Sequence, residues 1–294
     1  MKVLIIGAEG QLGTALCAAF ADTDLVRAEL DGGDVRIDVT DEDRLRDVMG
    51  RDVRPDLVIN TAAAHDVARC EREPDWAFAI NATGARNVAL ACRDCGARLV
   101  HISTDYVFSD SPESRPLVES DLPAPLNVYG ASKLAGEHLI AAALADHCIV
   151  RTAGLYGLAP CRGKAGENFV LRMLHHAEAE LHVVDDEFTT PTYACSLARQ
   201  IRLLAEKGEP GVYHATCQGG CSWYEFAKAI FEETGKQAAL KAVKRDCLQS
   251  PVKRPRFSVL ENRRLQAQGL DIMPGWRDAL REYLSDLSRE KAVS

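Results

Sequence analysis

KVLIIGAEGQLG, Lys2 to Gly13, decides how the rest of the chain is read: an apolar run of strand length passes straight into a turn carrying Gly7, Gly10 and Gly13, and LGTALCAAF continues from it with helical amphipathicity. Strand, glycine turn and helix in that order aim backbone N–H groups and a helix N-terminus at an anion. Gly7 permits the tight turn, Gly10 lets a pyrophosphate come close, and Gly13 allows the helix to pack on the strand. The glycine spacing alone is a weak signal. Its flanks favour dinucleotide binding over a structural turn, and with it an α/β fold built on a doubly wound, Rossmann-like parallel sheet.

Working outward, a second strand is expected near Leu25 to Leu30. Its end lies by the adenosine ribose in such sheets, where an acidic residue suits the 2′-hydroxyl of NAD and an arginine the 2′-phosphate of NADP. Arg27, Glu29 and Asp31 together leave that choice open. Asp38 follows, read beside the adenine in preference to a plain turn residue, and also as capping the helix DEDRLRDVM. Pro55 to Asn60 reads as a third buried strand, and Thr61, Ala62, Ala63 and Ala64 as small residues that let a cofactor lie against the backbone. Asn81, on the helical stretch after them, is read as a brace for the catalytic strand.

A fourth strand, Ala97 to Ile102, delivers Ser103, Thr104, Asp105 and Tyr106 to the crevice. The proline-rich stretch Ser109 to Leu126 is a loop over it. The helix that follows carries NVYGASKLAGE, Asn127 to Glu137, with Tyr129 and Lys133 one turn apart on one face. A lysine ammonium beside the phenol is expected to favour phenolate and bring Tyr129 toward neutrality as a proton donor for a carbonyl reduced to an alcohol. A fifth strand, Cys148 to Thr152, completes the run.

Composition excludes several classes. The formal net charge of −8 argues against nucleic-acid binding. Without an apolar run long enough to span a bilayer no membrane partner is expected, and the N-terminal apolar segment reads as a strand, not a signal peptide. Ten cysteines in such a chain suggest reduced thiols and a cytoplasmic setting. The pairs Cys92/Cys95 and Cys217/Cys221 have zinc-like spacings, but free thiols are the favoured reading and no metal ligand is assigned.

The glycine turn, STDYVF (Ser103 to Phe108), YGASK (Tyr129 to Lys133) and RTAGLYG (Arg151 to Gly157), in that order, make the chain resemble an extended short-chain dehydrogenase/reductase. Within that superfamily GQLG, PLNVYGASKLAGE, VVDDEFTTPT, SWYEFA and KRPRFSVL resemble the dTDP-4-dehydrorhamnose reductase family over nearly the whole chain. The resemblance implies hydride transfer from NADPH or NADH to C4 of a nucleotide-linked 4-keto-6-deoxy sugar. It implies a catalytic trio of Thr104, Tyr129 and Lys133, with Lys133 also on the nicotinamide ribose. Gly7, Gly10, Gln11, Leu12, Gly13, Asp38, Val39, Ala62, Ala63, Ala64 and Ile102 would line the cofactor, and Asp105 and Tyr106 would face the sugar. The basic residues Lys253, Arg254 and Arg256 suit a substrate diphosphate, Arg254 foremost, with a solvated charge run as the alternative.

The same resemblance places a dinucleotide domain at 1–152, rejoined by 193–207, and an interleaved α/β substrate lobe at 153–192 and 208–294. An assisting Mg²⁺ and a homodimer stay open. Departures fall at the sugar end, where His65, Ala68, Gly154 and Phe257 stand in for the family's usual residues. Two other readings use the same scaffold: an epimerase or dehydratase that retains its NAD, and a noncatalytic regulatory subunit resembling the β subunit of methionine adenosyltransferase.

Overall fold

The computed structural model describes residues 1–110, 114–160, 166–178, 180–247 and 252–293. Part of the expected Ser109–Leu126 loop, part of the Lys241–Leu260 segment and Cys161 lie outside the described residues. The first half of the chain forms β1 (Lys2–Ile6), α1 (Gln11–Ala19), β2 (Asp24–Glu29), β3 (Val35–Arg36), α2 (Glu42–Asp47), β4 (Leu57–Asn60), α3 (Val67–Arg72), α4 (Pro74–Phe78), α5 (Ala85–Cys95), β5 (Arg98–Thr104) and α6 (Val128–Ala143). The second half forms β6 (His147–Thr152), β7 (Leu155–Tyr156), α7 (Phe169–His175), β8 (Glu180–Val184), β9 (Phe188–Thr189), β10 (Thr192–Tyr193), α8 (Ala194–Lys207), β11 (Gly211–His214), β12 (Cys221–Ser222), α9 (Trp223–Thr234), β13 (Ala239–Val243), α10 (Arg263–Ala267) and α11 (Trp276–Val293).

Seven strands make one sheet in the order β11-β6-β5-β4-β1-β2-β3, every neighbouring pair parallel. Such a sheet is covered on both faces, which is why β1 is apolar without alternation. Its side chains divide by parity: Val3 and Ile5 join the cluster with Leu12, Leu16, Leu197 and Ile201, whereas Leu4 and Ile6 join Val88, Ala89 and Cys92 on the other side. The chain turns to β2 on one side of β1 and to β4 on the other, and a crevice opens at the carboxyl ends of the strands at that switch point.

Gly7 holds φ +81° at the end of β1, and a Cβ on Gly13 would fall 2.0 Å from the Gly7 carbonyl oxygen. Only glycine lets α1 come so close to the turn, and the first turn of the helix is thereby brought to the crevice. Three features depart from expectation. Gly211–His214 belongs to the main sheet as β11, pairing with β6, although the sequence groups it with the smaller lobe. The cap of α2 is Asp41, which accepts from Arg44 N–H at 3.0 Å, while Asp38 closes its own turn with Thr40. Residues Ala79–Gly84 form a π-helical turn between α4 and α5.

The remaining strands form three short pairs, β10 with β7, β12 with β9 and β13 with β8. Tyr156, Tyr193, Phe226 and Tyr283 pack ring on ring where these pairs meet the main sheet, so one apolar core runs through both parts. Leu117 bridges to Leu260, which carries the Pro255–Ser258 stretch over the crevice.

Candidate active site

One cavity of about 500 Å³ runs from Glu29 and Asp38 at one end, past the glycine turn and Lys133, to Arg254 and Trp223 at the other. At the first end, α1 starts at Gly10 with no side-chain cap, so its opening N–H groups are left for a ligand. Gly7, Gly10, Gln11, Leu12 and Gly13 all line the cavity there, as do Asp38, Val39, Ala62 and Ala63. Ala64 does not. Its backbone is bonded on both sides to Asn81, whose Oδ1 accepts from Ala64 N–H at 2.8 Å and whose Nδ2 donates to Ala64 O at 3.0 Å, so Ala64 lies behind the wall. Asn81 also donates to Ser132 Oγ at 3.0 Å, and thus braces the small-residue run and α6 instead of the catalytic strand.

Sequence reasoning left Arg27, Glu29 and Asp31 as equals at the end of β2; the structure separates them. Arg27 points away and is held by Asp34 in a two-point pair, 2.8 and 3.2 Å, which keeps the Asp34 carboxyl down at about 2. Asp31 is exposed and pairs with Arg36 at 3.6 Å. Glu29 is buried, lines the cavity and accepts from Glu9 N–H at 2.5 Å.

The middle of the cavity is built by β5 and α6. Asn127 caps α6 by accepting from Gly130 N–H at 2.8 Å, and a Cβ on Gly130 would lie 2.0 Å from the Tyr106 carbonyl oxygen. That close approach brings Tyr129 and Lys133 alongside Ile102, Thr104, Asp105 and Tyr106, and all of them line the cavity. The rings of Tyr106 and Tyr129 meet edge to face with centroids 6.0 Å apart. Thr104 Oγ1 donates to Asp105 Oδ1 at 3.1 Å, and Ser258 Oγ donates to Asp105 Oδ2 at 2.6 Å. Burial nevertheless pushes the Asp105 carboxyl up to about 6, with the two hydroxyl bonds opposing.

The structure gives Tyr129 and Lys133 separate hydrogen-bonding surroundings. Burial drives the Tyr129 phenol well above its ordinary value, with only the Thr104 hydroxyl working against the rise. Lys133 Nζ instead donates to the Ile102 carbonyl at 2.6 Å and meets His101 Nε2 at 3.1 Å, and burial lowers it to about 8. The helix spacing correctly sets both side chains on one face, but the backbone of β5 competes for the ammonium donor. Beneath them Arg151 holds Glu137 at 2.6 Å, and Glu137 accepts from Ser103 at 2.5 Å, so the carboxylate next to Lys133 is already matched.

At the far end, only Arg254 of the basic cluster reaches the cavity; Lys253 is exposed and Arg256 pairs with Asp246 at 3.0 Å. Glu187, buried and raised by burial with Arg254 and Arg245 pulling it back, lines the same end and was missed by the sequence reading. A buried carboxylate on a loop has no periodic signature. Gly154 has φ +54° and packs against Thr190 and Pro191, so no indole stands there; Phe169, Phe188 and Trp223 supply the aromatic wall. His65 lines the cavity, Ala68 does not, and Phe257 rests against Phe188 outside it.

A dinucleotide fits this chemistry. The helix start is uncapped, and the buried hydroxyls of Thr152 and Tyr156, both on the cavity wall, have no hydrogen-bond partner among the described residues. Among the described residues no group of three or more His, Cys, Asp or Glu side chains is placed to hold a metal ion, and no helix is long and apolar enough to cross a membrane.

Comparison with known proteins adds three findings. The model of the family "RmlD substrate binding domain" matches residues 1–289. The spore coat polysaccharide biosynthesis protein SpsK of Bacillus subtilis is 41% identical over 290 residues, covering 98% of both chains. Two solved structures of dTDP-4-dehydrorhamnose reductases are each 36% identical: that of Clostridium acetobutylicum superposes with a TM-score of 0.91 over 98% of this chain and 100% of its own. That of Bacillus anthracis, solved in complex with NADP, superposes with a TM-score of 0.89 over 97% and 99%.

Proposed function

The chain belongs to the RmlD substrate binding domain family, and from that premise we propose that it reduces a dTDP-linked 4-keto-6-deoxy sugar, dTDP-4-dehydrorhamnose foremost, with a reduced nicotinamide dinucleotide. The observation that carries this reading is one cavity lined by an uncapped helix start, by Thr104, Tyr129 and Lys133, and by Arg254.

A reduced nicotinamide bound in the cavity would supply the hydride for the carbonyl carbon. Tyr129 supplies the proton. Its phenol is held well above its ordinary value by burial, so it stays protonated at neutral pH and can give its hydrogen to the oxygen that becomes an oxyanion. Thr104, whose hydroxyl rests on Asp105, shares that oxygen by turning its donor from the carboxylate to the substrate. Lys133 would hold the nicotinamide ribose and supply the positive charge that a buried phenolate needs once the proton has left. Arg254, facing Glu187, takes the sugar-nucleotide diphosphate.

NADH is the preferred reductant in this reading. The buried Glu29 carboxylate suits a ribose 2′-hydroxyl and repels a 2′-phosphate, and the arginines of β2 and β3, Arg27 and Arg36, pair with Asp34 and Asp31. Residues 1–152, with 193–207 and β11, form the cofactor part, and the rest of 153–294 grips the sugar nucleotide.

The test is a panel of dTDP-, UDP- and GDP-linked 4-keto sugars with both reduced cofactors, followed by loss of nicotinamide absorbance. Stoichiometric cofactor consumption with the dTDP substrate is the expected outcome. Turnover without added cofactor would favour an epimerase or dehydratase instead. Tyr129→Phe lowers turnover by about a hundred- to ten-thousand-fold while leaving NADH binding within a few-fold; unchanged turnover would remove Tyr129 from the chemistry.

A further inference from the structure

Behind Lys133 lies a chain of buried polar groups that the reaction above does not use. Asn60 ends β4 and His101 sits opposite it on β5, each 1% exposed. Asn60 Oδ1 accepts from Ala62 N–H at 3.1 Å, and Asn60 Nδ2 meets His101 Nδ1 at 3.2 Å. His101 Nε2 in turn meets Lys133 Nζ at 3.1 Å.

Hydrogen-bond bookkeeping along this chain has one consistent solution. The Ala62 N–H is a donor and obliges the Asn60 amide to present its oxygen there, which leaves the Asn60 NH₂ facing the imidazole. His101 Nδ1 must then be the bare, accepting nitrogen. A neutral imidazole with a bare Nδ1 carries its proton on Nε2, so His101 presents an N–H to Lys133. An ammonium has three hydrogens and no lone pair, and would set donor against donor at that contact. An amine can accept there and still donate to the Ile102 carbonyl.

We propose that His101 is a positioning residue, locked by Asn60 as the Nε2–H tautomer, that holds Lys133 in place and biases it toward the uncharged amine until the cofactor binds. Desolvation works in the same direction: burial lowers Lys133 to about 8 and holds His101 well below its ordinary value, which keeps the ring neutral. The other titratable groups around Lys133 are Tyr129 and Glu137 on its own helix, Asp105 at the end of β5, and Arg151 on β6, which is bonded to Glu137. Of these Glu137 alone favours the ammonium, and its charge is shared with Arg151 and Ser103. His101 therefore opposes Glu137 at one nitrogen, and the balance sets the pH at which Lys133 gains the charge Tyr129 requires. The inference about the pH profile rests on the proposed reduction; the tautomer does not.

The experiment takes the full chain, labelled with ¹⁵N at histidine and free of cofactor, from about pH 6 to about pH 9, a range that brackets the ordinary histidine value and a lysine lowered to about 8. Long-range proton–nitrogen correlation reads which ring nitrogen bears hydrogen, the His101 signals being those lost in His101→Gln. Above about pH 8, where Lys133 is the amine, a bare Nδ1 and a protonated Nε2 are expected; a proton on Nδ1 there overturns the proposal whatever the substrate turns out to be.

In the second arm the alkaline limb of kcat/KM moves up by roughly half to one pH unit in His101→Phe, which has no N–H to offer. Variants that lose activity equally at every pH, with the limb unmoved, would reduce His101 to packing and sink the positioning role.

Discussion

Glu29 and Asp105 show how burial changes what a carboxylate does. Glu29 lines the end of the cavity proposed for the adenosine ribose and is tied to the Glu9 N–H, so replacing it with glutamine keeps the bond and removes the charge. Glu29→Gln is expected to shrink the ratio of NADPH to NADH dissociation constants several-fold, chiefly by tighter NADPH, as read by nicotinamide fluorescence on binding. An unchanged ratio would mean that the charge plays no part in coenzyme choice. Asp105 is raised in the folded protein to about 6 from 3.8. The native state then binds more protons than the unfolded chain between those values, and this group's contribution to stability falls as pH rises through that window. Asp105→Asn abolishes the titration. The stability difference between variant and wild type should move in the variant's favour from about pH 4 to about pH 6, by on the order of 1–3 kcal/mol in urea melts.

Among the elements, α6 matters most because its register against β5 sets the distance between Tyr129, the proposed proton donor, and the crevice. Three contacts hold its start: the Asn127 cap, Asn127 Nδ2 donating to Lys253 O at 2.9 Å, and Val128 N–H donating to Glu71 Oε1 at 2.8 Å. Gly130 lets the helix lie against the Tyr106 carbonyl, closer than any β-carbon would permit. Gly130→Ala should force the two apart, costing about 1–3 kcal/mol of stability and depressing kcat more than it weakens NADH binding. Wild-type kcat with an unshifted melt would show that α6 tolerates the methyl group and that its spacing is not critical.

At the scale of the molecule, the two parts share their core. The rings of Tyr156, Tyr193 and Tyr283 join sequence segments far apart, and Asn168 Nδ2 donates to Tyr283 Oη at 3.1 Å inside that cluster. Trp76 lies on α4 in the part proposed to hold the cofactor, and Trp223 and Trp276 begin α9 and α11 in the other. Tryptophan fluorescence and far-ultraviolet dichroism should therefore report one superimposable unfolding transition. Saturating NADH should raise its midpoint, with about 2.7 kcal/mol of stabilisation when the ligand is at a hundred times its Kd. Two separated transitions would show the parts unfolding independently.

Local pattern alone determined the parallel sheet, the glycine turn, the helix bearing Tyr129 and Lys133, and the strand ending in Thr104, because each depends on residues a few positions apart: a strand-length apolar run, glycines at fixed steps, one helical turn. What the tertiary structure decided is which partner each polar group takes. Lys133 turned to Ile102 and His101, Arg27 turned to Asp34, Ala64 withdrew behind Asn81, and Glu187 came to face Arg254. Those pairings join segments brought together only by the sheet and its packing, and desolvation in the closed core sets their charge states, so neither periodicity nor spacing along the chain could carry them.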